Sequence, residues 1–337
     1  MKAAVYKGNQ RFEVEEIPTP TPGPGQLLVK VSYCGICGTD VHAFLYDAVA
    51  PGTVMGHEYC GAIVKLGPGV SGWKEGDRVV AGGGMPPPGK GAAAKGPRFS
   101  FQTDLYAARP LMAYAEYVLM EEWQPLRVPE GVSDEAAAVC EPTKDAVHAV
   151  RASNLRLGDS VAIVGAGPIG LLCLQAAKAA GAGTVFVSEP APARSEAALG
   201  LGADAVIDPS IEDVVSLMVS LTGGLGPHVV FECAAAKPTL DQALSMARVG
   251  GEVVLVSLAW EPTSVLTVDW VGRQVKLVSS AGSTPEDWRI SMELIRSGAI
   301  KTEPLVSDDA IIPLDDIQGA FESLVRPTTQ IKMLVKP

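Results

Sequence analysis

Short apolar runs separated by turn residues dominate the first 80 residues and predict β-structure. The runs AAVY, FEVEEI and QLLVKVSY are expected to be strands, separated by Gly- and Pro-rich segments such as PTPTPGPGQ. Further strands are expected in GHEYCGAIVKLGPGV, at 114–119 and at 125–128. Between them, 82–109 has no periodic apolar face and is interpreted as a surface loop or lobe. The first part of the chain is therefore expected to be rich in β-strands.

Apolar runs alternate with helix-forming segments from residue 160 to about residue 282. Strands are predicted at 161–165, 184–188, 205–207, 228–233, 252–257 and 275–280, and helices near 168–180, 192–200, 211–221 and 238–248. This alternation is typical of a doubly wound parallel sheet. Outside it we expect a helix start at Ser133, helices at 143–153, 286–297 and 314–324, and β-structure around 303–307 and at 331–335. Because the tail breaks the alternation, 285–337 is expected to join 1–148 in one domain, with 149–284 as the other.

Composition and charge disfavour several functional classes. The chain has 337 residues, 47% of them hydrophobic and 19% charged, which suits two globular domains with sizeable cores. Its net charge of −11 disfavours broad binding to a phosphate backbone. The start, MKAAVYKGNQRFEVEEI, lacks the apolar stretch of a secretory signal, so the six cysteines are expected to be reduced thiols or metal ligands. We therefore expect a cytoplasmic protein without nucleic-acid or membrane partners.

One glycine-rich segment has the spacing of a dinucleotide-binding turn. It follows an apolar run, opens a helix-forming run, and consists of Gly165, Gly167, Pro168, Ile169 and Gly170 in the pattern G-x-G-x-x-G. The segment 160–177 is uncharged and long enough to span a membrane, but its glycines and proline favour a strand, a turn and a helix instead.

The acidic residue that such sites require lies further along the chain. Glu189 follows a second apolar run, 19 residues beyond Gly170, where it could accept hydrogen bonds from an adenosine ribose. A 2′-phosphate would meet its negative charge, so NAD is expected in preference to NADP. Arg194 could weaken that preference by reaching a phosphate.

Potential metal ligands occur at three places in the first half of the chain. Cys37, the pair His57-Glu58 and Glu141 offer a thiolate, an imidazole and carboxylates, a combination suited to catalytic zinc. Two alternatives stay open at this point. Cys34 and Cys37 could form a redox pair, although no thioredoxin-like context surrounds them, and Cys140 competes with its neighbour Glu141 as a ligand.

Taken in order, these motifs resemble those of zinc-dependent medium-chain dehydrogenases. The resemblance rests on CGTDVH from Cys37 to His42, Gly56-His57-Glu58, the GDRV that starts at Gly76, Glu141-Pro142 and GAGPIG. The resemblance covers almost the entire chain, and the chain closely resembles the sorbitol, butanediol and threonine dehydrogenase branch. It implies an α/β protein with a GroES-like β-rich catalytic domain and a Rossmann domain. It also implies hydride transfer between a secondary alcohol or polyol, or the matching ketone, and NAD.

The resemblance assigns roles to individual residues. Cys37 and His57 match zinc ligands, while Glu58 and Glu141 match carboxylates that ligate directly or through water. Thr39 matches the hydroxyl that contacts the substrate oxygen, Asp40 a supporting acid, and His42 a proton relay or a residue that contacts the cofactor. By alignment Asp145 falls near the nicotinamide; its neighbour Lys144 is expected to face the surface, with a role in substrate choice as the alternative. Many members of that family carry four closely spaced cysteines for a structural zinc in the lobe at 82–109. Since this lobe has none, the comparison with the family implies one catalytic zinc and no structural zinc.

Several functional and structural alternatives remain at this level. The chain could be a zinc-free quinone or enone reductase of the same superfamily, or a cofactor-binding protein without activity. A homodimer or homotetramer is expected through the apolar segment 265–271 and the strand 274–280 at the sheet edge, unless the same chain covers that edge. The lobe is either a solvated loop or a selector of polar or anionic alcohols. Its basic and aromatic residues are Lys90, Lys95, Arg98, Phe99, Phe101, Tyr106 and Arg109, and Tyr114 follows closely.

Overall fold

The computed structural model describes residues 1–85, 87, 111–325 and 330–337. Its strands are β1 (Lys2–Gly8), β2 (Arg11–Glu16), β3 (Gln26–Gly35), β4 (Glu58–Leu66), β5 (Arg78–Gly83), β6 (Tyr117–Glu121), β7 (Pro125–Arg127), β8 (Ser160–Val164), β9 (Thr184–Ser188), β10 (Ala205–Ile207), β11 (Val229–Glu232), β12 (Glu252–Leu255), β13 (Lys276–Ser279), β14 (Ile311–Pro313) and β15 (Leu334–Lys336). Its α-helices are α1 (Gly38–Leu45), α2 (Asp134–Ala138), α3 (Cys140–Ala152), α4 (Pro168–Ala179), α5 (Pro192–Gly200), α6 (Val214–Leu221), α7 (Thr239–Met246), α8 (Thr267–Gly272), α9 (Pro285–Arg296) and α10 (Ile317–Leu324).

Packing divides the chain into two compact units. Unit 1 comprises Met1–Glu141 and Val306–Pro337, and unit 2 comprises Pro142–Leu305. The predicted domains follow the same discontinuous order, with boundaries after residues 148 and 284. The segments 142–148 and 285–305, which the sequence assigns to the first domain, pack with unit 2 in the structure. Their assignment to a functional domain stays a prediction.

Unit 1 is the β-rich part that the sequence predicts. Its main sheet has the order β14-β15-β3-β4-β5-β7, β6 pairs with β3, and β1 and β2 form a separate antiparallel ribbon. Aromatic side chains fill its core: the ring centroid of Phe12 lies 4.8 Å from that of Phe321 and 5.6 Å from that of Phe44. Since Phe44 belongs to α1, this packing fixes the helix that directly follows β3.

Unit 2 is a doubly wound parallel sheet, as predicted. The strand order is β10-β9-β8-β11-β12-β13, with β8 and β11 adjacent at the centre. This order reverses direction between β8 and β11, and in such sheets ligands bind outside the carboxyl ends of the strands at the reversal. The predicted strand positions hold because β8, β9 and β11 are short apolar runs that the sheet buries.

Some predicted elements are wrong or shifted. The β-structure expected around 303–307 is a turn, because Pro304 has no N–H to donate and Leu305 N donates to Thr302 O at 3.0 Å. The strand of this region is β14, which pairs in parallel with β15. The helix expected from residue 143 begins at Cys140, because a proline is tolerated in a first turn. Most of the apolar segment 265–271 lies in the short helix α8. The strand β13 lies at the sheet edge, as predicted for 274–280.

Within the described ranges, no helix is both long and apolar enough to cross a membrane.

Candidate metal centre and cofactor site

Cys37 is placed by the turn that joins β3 to α1. It is the N-cap of α1, and its Sγ accepts a hydrogen bond from Thr39 N at 3.4 Å. Asp40 completes the cap, because its Oδ2 accepts a hydrogen bond from Cys37 N at 3.2 Å. The sequence CGTD therefore fixes the thiol and the carboxylate relative to each other through local hydrogen bonds.

His57 and Glu58 meet Cys37 where β4 begins. Gly35 at the end of β3 pairs with Glu58, so the sheet register brings the two chain segments together. One ligand atom from each of Cys37, His57 and Glu58 lies within 4.8 Å of the others. Three of the four predicted metal ligands thus converge within unit 1, and they supply sulfur, nitrogen and oxygen.

Asp40 contacts His57, and Tyr114 holds Asp40 in turn. Asp40 is fully buried, and its Oδ1 lies 3.4 Å from His57 Nδ1, a distance that suits an ion pair. Tyr114 is also fully buried and donates from its hydroxyl to Asp40 Oδ2 at 2.7 Å. Because Nδ1 faces Asp40, Nε2 is the imidazole nitrogen left for a metal. Tyr114, predicted as an aromatic residue flanking the lobe, therefore belongs to this cluster; the basic residues of the lobe lie outside the described residues.

The electrostatics of the cluster suit a divalent cation. Burial and the charge of Glu58 raise the pKa of the Cys37 thiol, so the protein alone disfavours the thiolate. Burial opposes the charged form of His57, but the charges of Asp40 and Cys37 outweigh it and hold the pKa of His57 well above its ordinary value. A bound divalent cation would stabilise the thiolate and displace the imidazole proton. The donor set and its charges therefore fit zinc.

Lys332 is a member of the cluster that sequence reasoning missed. Its ammonium group forms an ion pair with Glu58 and donates to Ile36 O at 2.9 Å. Burial works against the charged form, but Glu58 and Cys37 outweigh it and raise the pKa of Lys332. One feature of the sequence could have indicated this role. Lys332 is the single charged residue in the apolar run IKMLV, and a lysine that such a run buries requires an acidic partner.

Glu141 and the rival cysteines lie outside the converging group. Glu141 is half-buried at the start of α3, and its charge acts on Lys332. Cys140 is fully buried beside it. Cys34 is also buried, donates from Sγ to Gly35 O at 3.7 Å, and has a pKa well above the ordinary value because of burial. Among the described residues, the metal-ligating group that contains Cys37 includes neither Cys34 nor Cys140.

Thr39 and His42 share one face of α1. They are three residues apart, a spacing that makes side chains neighbours on a helix, and both are half-buried. Burial lowers the pKa of His42, so the imidazole is neutral near pH 7. A neutral imidazole at this position can accept a proton.

Lys144 and Asp145 in unit 2 form a charge pair. Lys144 Nζ binds Asp145 Oδ1 and lies 6.0 Å from the ring centroid of Trp288. The expectation that Lys144 faces the surface is wrong, because the residue is only 7% exposed. The pairing with Asp145 explains how this charge is accommodated.

The glycine-rich turn between β8 and α4 has the form that a pyrophosphate requires. Gly165 has φ +92°, which disfavours any other residue. A Cβ at Gly170 would collide with Gly165 O, whereas a Cβ at Gly167 would project into open space. Gly167 is the N-cap of the twelve-residue α4, with Pro168 and Ile169 in its first turn, so free N–H groups of this helix face that space. The turn therefore fits a dinucleotide phosphate.

Glu189 lies where β9 ends and is tied to this turn. It is 5% exposed, and its carboxylate accepts hydrogen bonds from Ala166 N at 2.7 Å and Ala191 N at 2.9 Å. Its charge therefore lies directly against the turn. Arg194 is half-buried on α5, and its buried Nε finds no hydrogen-bond partner among the residues that the structure describes.

Comparison with known proteins shows the family. The family model "Alcohol dehydrogenase GroES-like domain" matches residues 23–130, and "Zinc-binding dehydrogenase" matches residues 168–297. The (R,R)-butanediol dehydrogenase of Bacillus subtilis (strain 168) is 34% identical over 354 residues, which cover 100% of both chains. The chain belongs to the zinc-binding dehydrogenase family. A sorbitol dehydrogenase of Halalkalibacterium halodurans is 32% identical, with 100% of this chain and 99% of that relative covered.

A solved structure extends the similarity to three dimensions. A protein from Sinorhizobium meliloti 1021, bound to NADP, matches with a TM-score of 0.86 and 32% identity over 100% of this chain and 99% of that one. Family membership confirms the predicted GroES-like and Rossmann architecture. It also confirms the predicted enzyme class: a dehydrogenase of this family interconverts alcohols and ketones with a nicotinamide cofactor.

Proposed function

We propose that this zinc-binding dehydrogenase uses one zinc ion, held by Cys37, His57 and the carboxylates Glu58 and Glu141, to oxidise a secondary alcohol or polyol with NAD. The convergence of a thiol, an imidazole and a carboxylate within 4.8 Å carries the proposal. Glu141 is included because its charge acts on Lys332, which pairs with Glu58. When bound, zinc acts as a Lewis acid that makes an alcohol oxygen easier to deprotonate.

The protein's own groups would handle the substrate and its proton. Thr39 would orient the substrate oxygen by a hydrogen bond from its hydroxyl. His42, neutral near pH 7, would accept the proton that the alcohol releases and pass it towards solvent. Asp40, held by Tyr114, would fix the ring orientation of His57. Asp145 is proposed to lie near the nicotinamide, with its charge balanced by Lys144.

NAD is the proposed cofactor, and the charge of Glu189 is the reason. A ribose 2′-phosphate close to the glycine-rich turn would face this buried carboxylate. Arg194 works in the opposite direction, since its partly buried guanidinium could pair with a phosphate. We expect Glu189 to prevail because its carboxylate is fixed by two backbone N–H groups.

A panel of alcohols and ketones, assayed with NAD and NADP, tests this function. We expect zinc-dependent oxidation of secondary alcohols or polyols and a higher kcat/KM with NAD. A higher kcat/KM with NADP would defeat the cofactor assignment alone. Activity towards quinones or enones that survives zinc removal would instead support the zinc-free reductase, the second candidate. If no alcohol is turned over, the remaining candidate is a cofactor-binding protein that has no enzymatic activity.

We infer further that the enzyme is a homodimer or homotetramer that assembles through β13. This strand ends the six-stranded sheet, and apolar side chains on it and on α8 are exposed: Leu277 by 41%, Val268 by 74% and Val271 by 61%. An open, apolar sheet edge favours pairing with a second copy. We also propose that the enzyme is cytoplasmic.

A further inference from the structure

A buried ion pair lies beside the metal-ligating group and is not accounted for by the proposed chemistry. The side chains of Lys332 and Glu58 are each only 2% exposed, and they bind each other through Nζ and Oε2. Burying two charges is unfavourable unless the geometry and additional hydrogen bonds offset the loss of solvation. The second bond of Lys332 Nζ, to Ile36 O at 2.9 Å, supplies part of that compensation.

The backbone around the pair holds both charges in place. Ile36 N donates to Met333 O at 3.0 Å, so the residue after Lys332 is anchored to the same segment that Nζ contacts. Gly35 leaves the space that the pair occupies, because a Cβ there would collide with Glu58 Oε2 and lie 2.9 Å from Lys332 Cε. The end of β3, the start of β4 and the C-terminal segment thus form one fixed pocket for the pair.

The ion pair engages one oxygen of a residue that also belongs to the metal-ligating group. Oε2 faces Lys332, while Glu58 also belongs to the group of atoms that converges on Cys37 and His57. An ammonium group on Oε2 occupies a lone pair of that oxygen and fixes the orientation of the carboxylate, which leaves Oε1 with both lone pairs for a metal.

We propose that Lys332 is a positioning residue of the metal centre, which holds Glu58 by Oε2 and leaves Oε1 as the single oxygen that faces the metal. This inference rests on the proposed zinc site. It assigns Lys332 an effect on the metal through Glu58, without contact with the substrate. It also explains why the chain keeps a buried lysine in the apolar run before β15.

Metal binding by the full-length Lys332→Met variant tests the proposal. Zinc affinity is measured by competition with a chelator, and the coordination is followed in the visible absorption of the cobalt-substituted protein. We expect zinc affinity to fall by about ten- to hundredfold, the range for residues that orient metal ligands. The cobalt spectrum should change because Glu58 loses its fixed orientation. Lys332→Arg keeps the charge and should recover most of the affinity and the spectrum.

A matched control separates positioning from stability. Asp77→Asn breaks another partly buried ion pair of unit 1, between Asp77 and Arg127, and should lower the melting temperature without changing the cobalt spectrum. If Lys332→Met fails to fold, Lys332→Ser takes its place, because its short polar side chain cannot reach Glu58 Oε2. Unchanged or tighter zinc binding, with the wild-type spectrum, in whichever of the two variants folds would overturn the proposal. Absence of zinc from the wild-type protein would instead refute the proposed function.

Discussion

Ala235 adopts a backbone conformation that costs stability at a single residue. Its φ is +57°, a left-handed value that L-residues rarely adopt. The buried carboxylate of Glu232 imposes this turn, because Oε1 accepts hydrogen bonds from Ala234 N at 2.9 Å and from Ala235 N at 3.0 Å. We expect Ala235→Gly to raise the free energy of unfolding by about 0.5–1 kcal/mol, since relief of strain exceeds the added chain entropy.

Denaturant unfolding measures this change, with Ala236→Gly as the matched control. Ala236 has no positive φ, so glycine there should destabilise the protein. Equal effects of the two substitutions would contradict the strain argument.

The protonation states of His57 and Cys37 predict how zinc affinity depends on pH. In the metal-free protein the pKa values of both groups are raised, so near neutral pH both hold protons that zinc must displace. Because binding releases protons, zinc affinity should rise with pH, by about tenfold per unit for each proton displaced. Chelator competition from pH 6 to pH 8, corrected for titration of the chelator, measures the slope. An affinity that does not change with pH would refute these protonation states.

At the scale of elements, β13 forms the proposed interface between subunits. We expect Leu277→Lys to convert a homodimer to a monomer, or a homotetramer to a smaller assembly, because it places a charge on each of the two edges that would pair. Ile211→Lys is the matched control: Ile211 is 81% exposed in the same unit but lies outside the strands of the sheet. Light scattering at micromolar concentration distinguishes the outcomes. A wild-type monomer, or an oligomer whose size Leu277→Lys leaves unchanged, would contradict assembly through this strand.

The elements also show which parts of the structure the sequence determines locally. The turn at Cys37 and the glycine-rich turn were predictable, because each is fixed by residues that are close in sequence. The pairing of Lys332 with Glu58 was not, since it depends on β15 lying against β3, two elements about 300 residues apart. The same holds for Tyr114, whose contact with Asp40 depends on the fold. Long-range pairing thus sets the limit of the sequence prediction.

For the whole molecule, the discontinuous chain has a consequence for the metal centre. The chain leaves unit 1 at Glu141 and returns at Val306, and the returning segment supplies Lys332. Residues before and after the whole of unit 2 therefore meet at the metal-ligating group. The sequence motifs predicted the two architectures through the family resemblance, and they named Cys37, His57 and Glu58, which the fold brings together. The contribution of the C-terminal segment emerges only from the fold.

Metal content is the most direct test of the central claim, that Cys37, His57 and Glu58 form part of a single catalytic zinc site. Elemental analysis of purified wild-type protein should give one zinc per chain, and the variant with both Cys37→Ala and His57→Ala should retain almost none. The fold should survive the loss, because a catalytic zinc is not the main source of stability in a protein with two large cores. Two zinc ions per wild-type chain, or full retention of zinc by the double variant, would contradict the account.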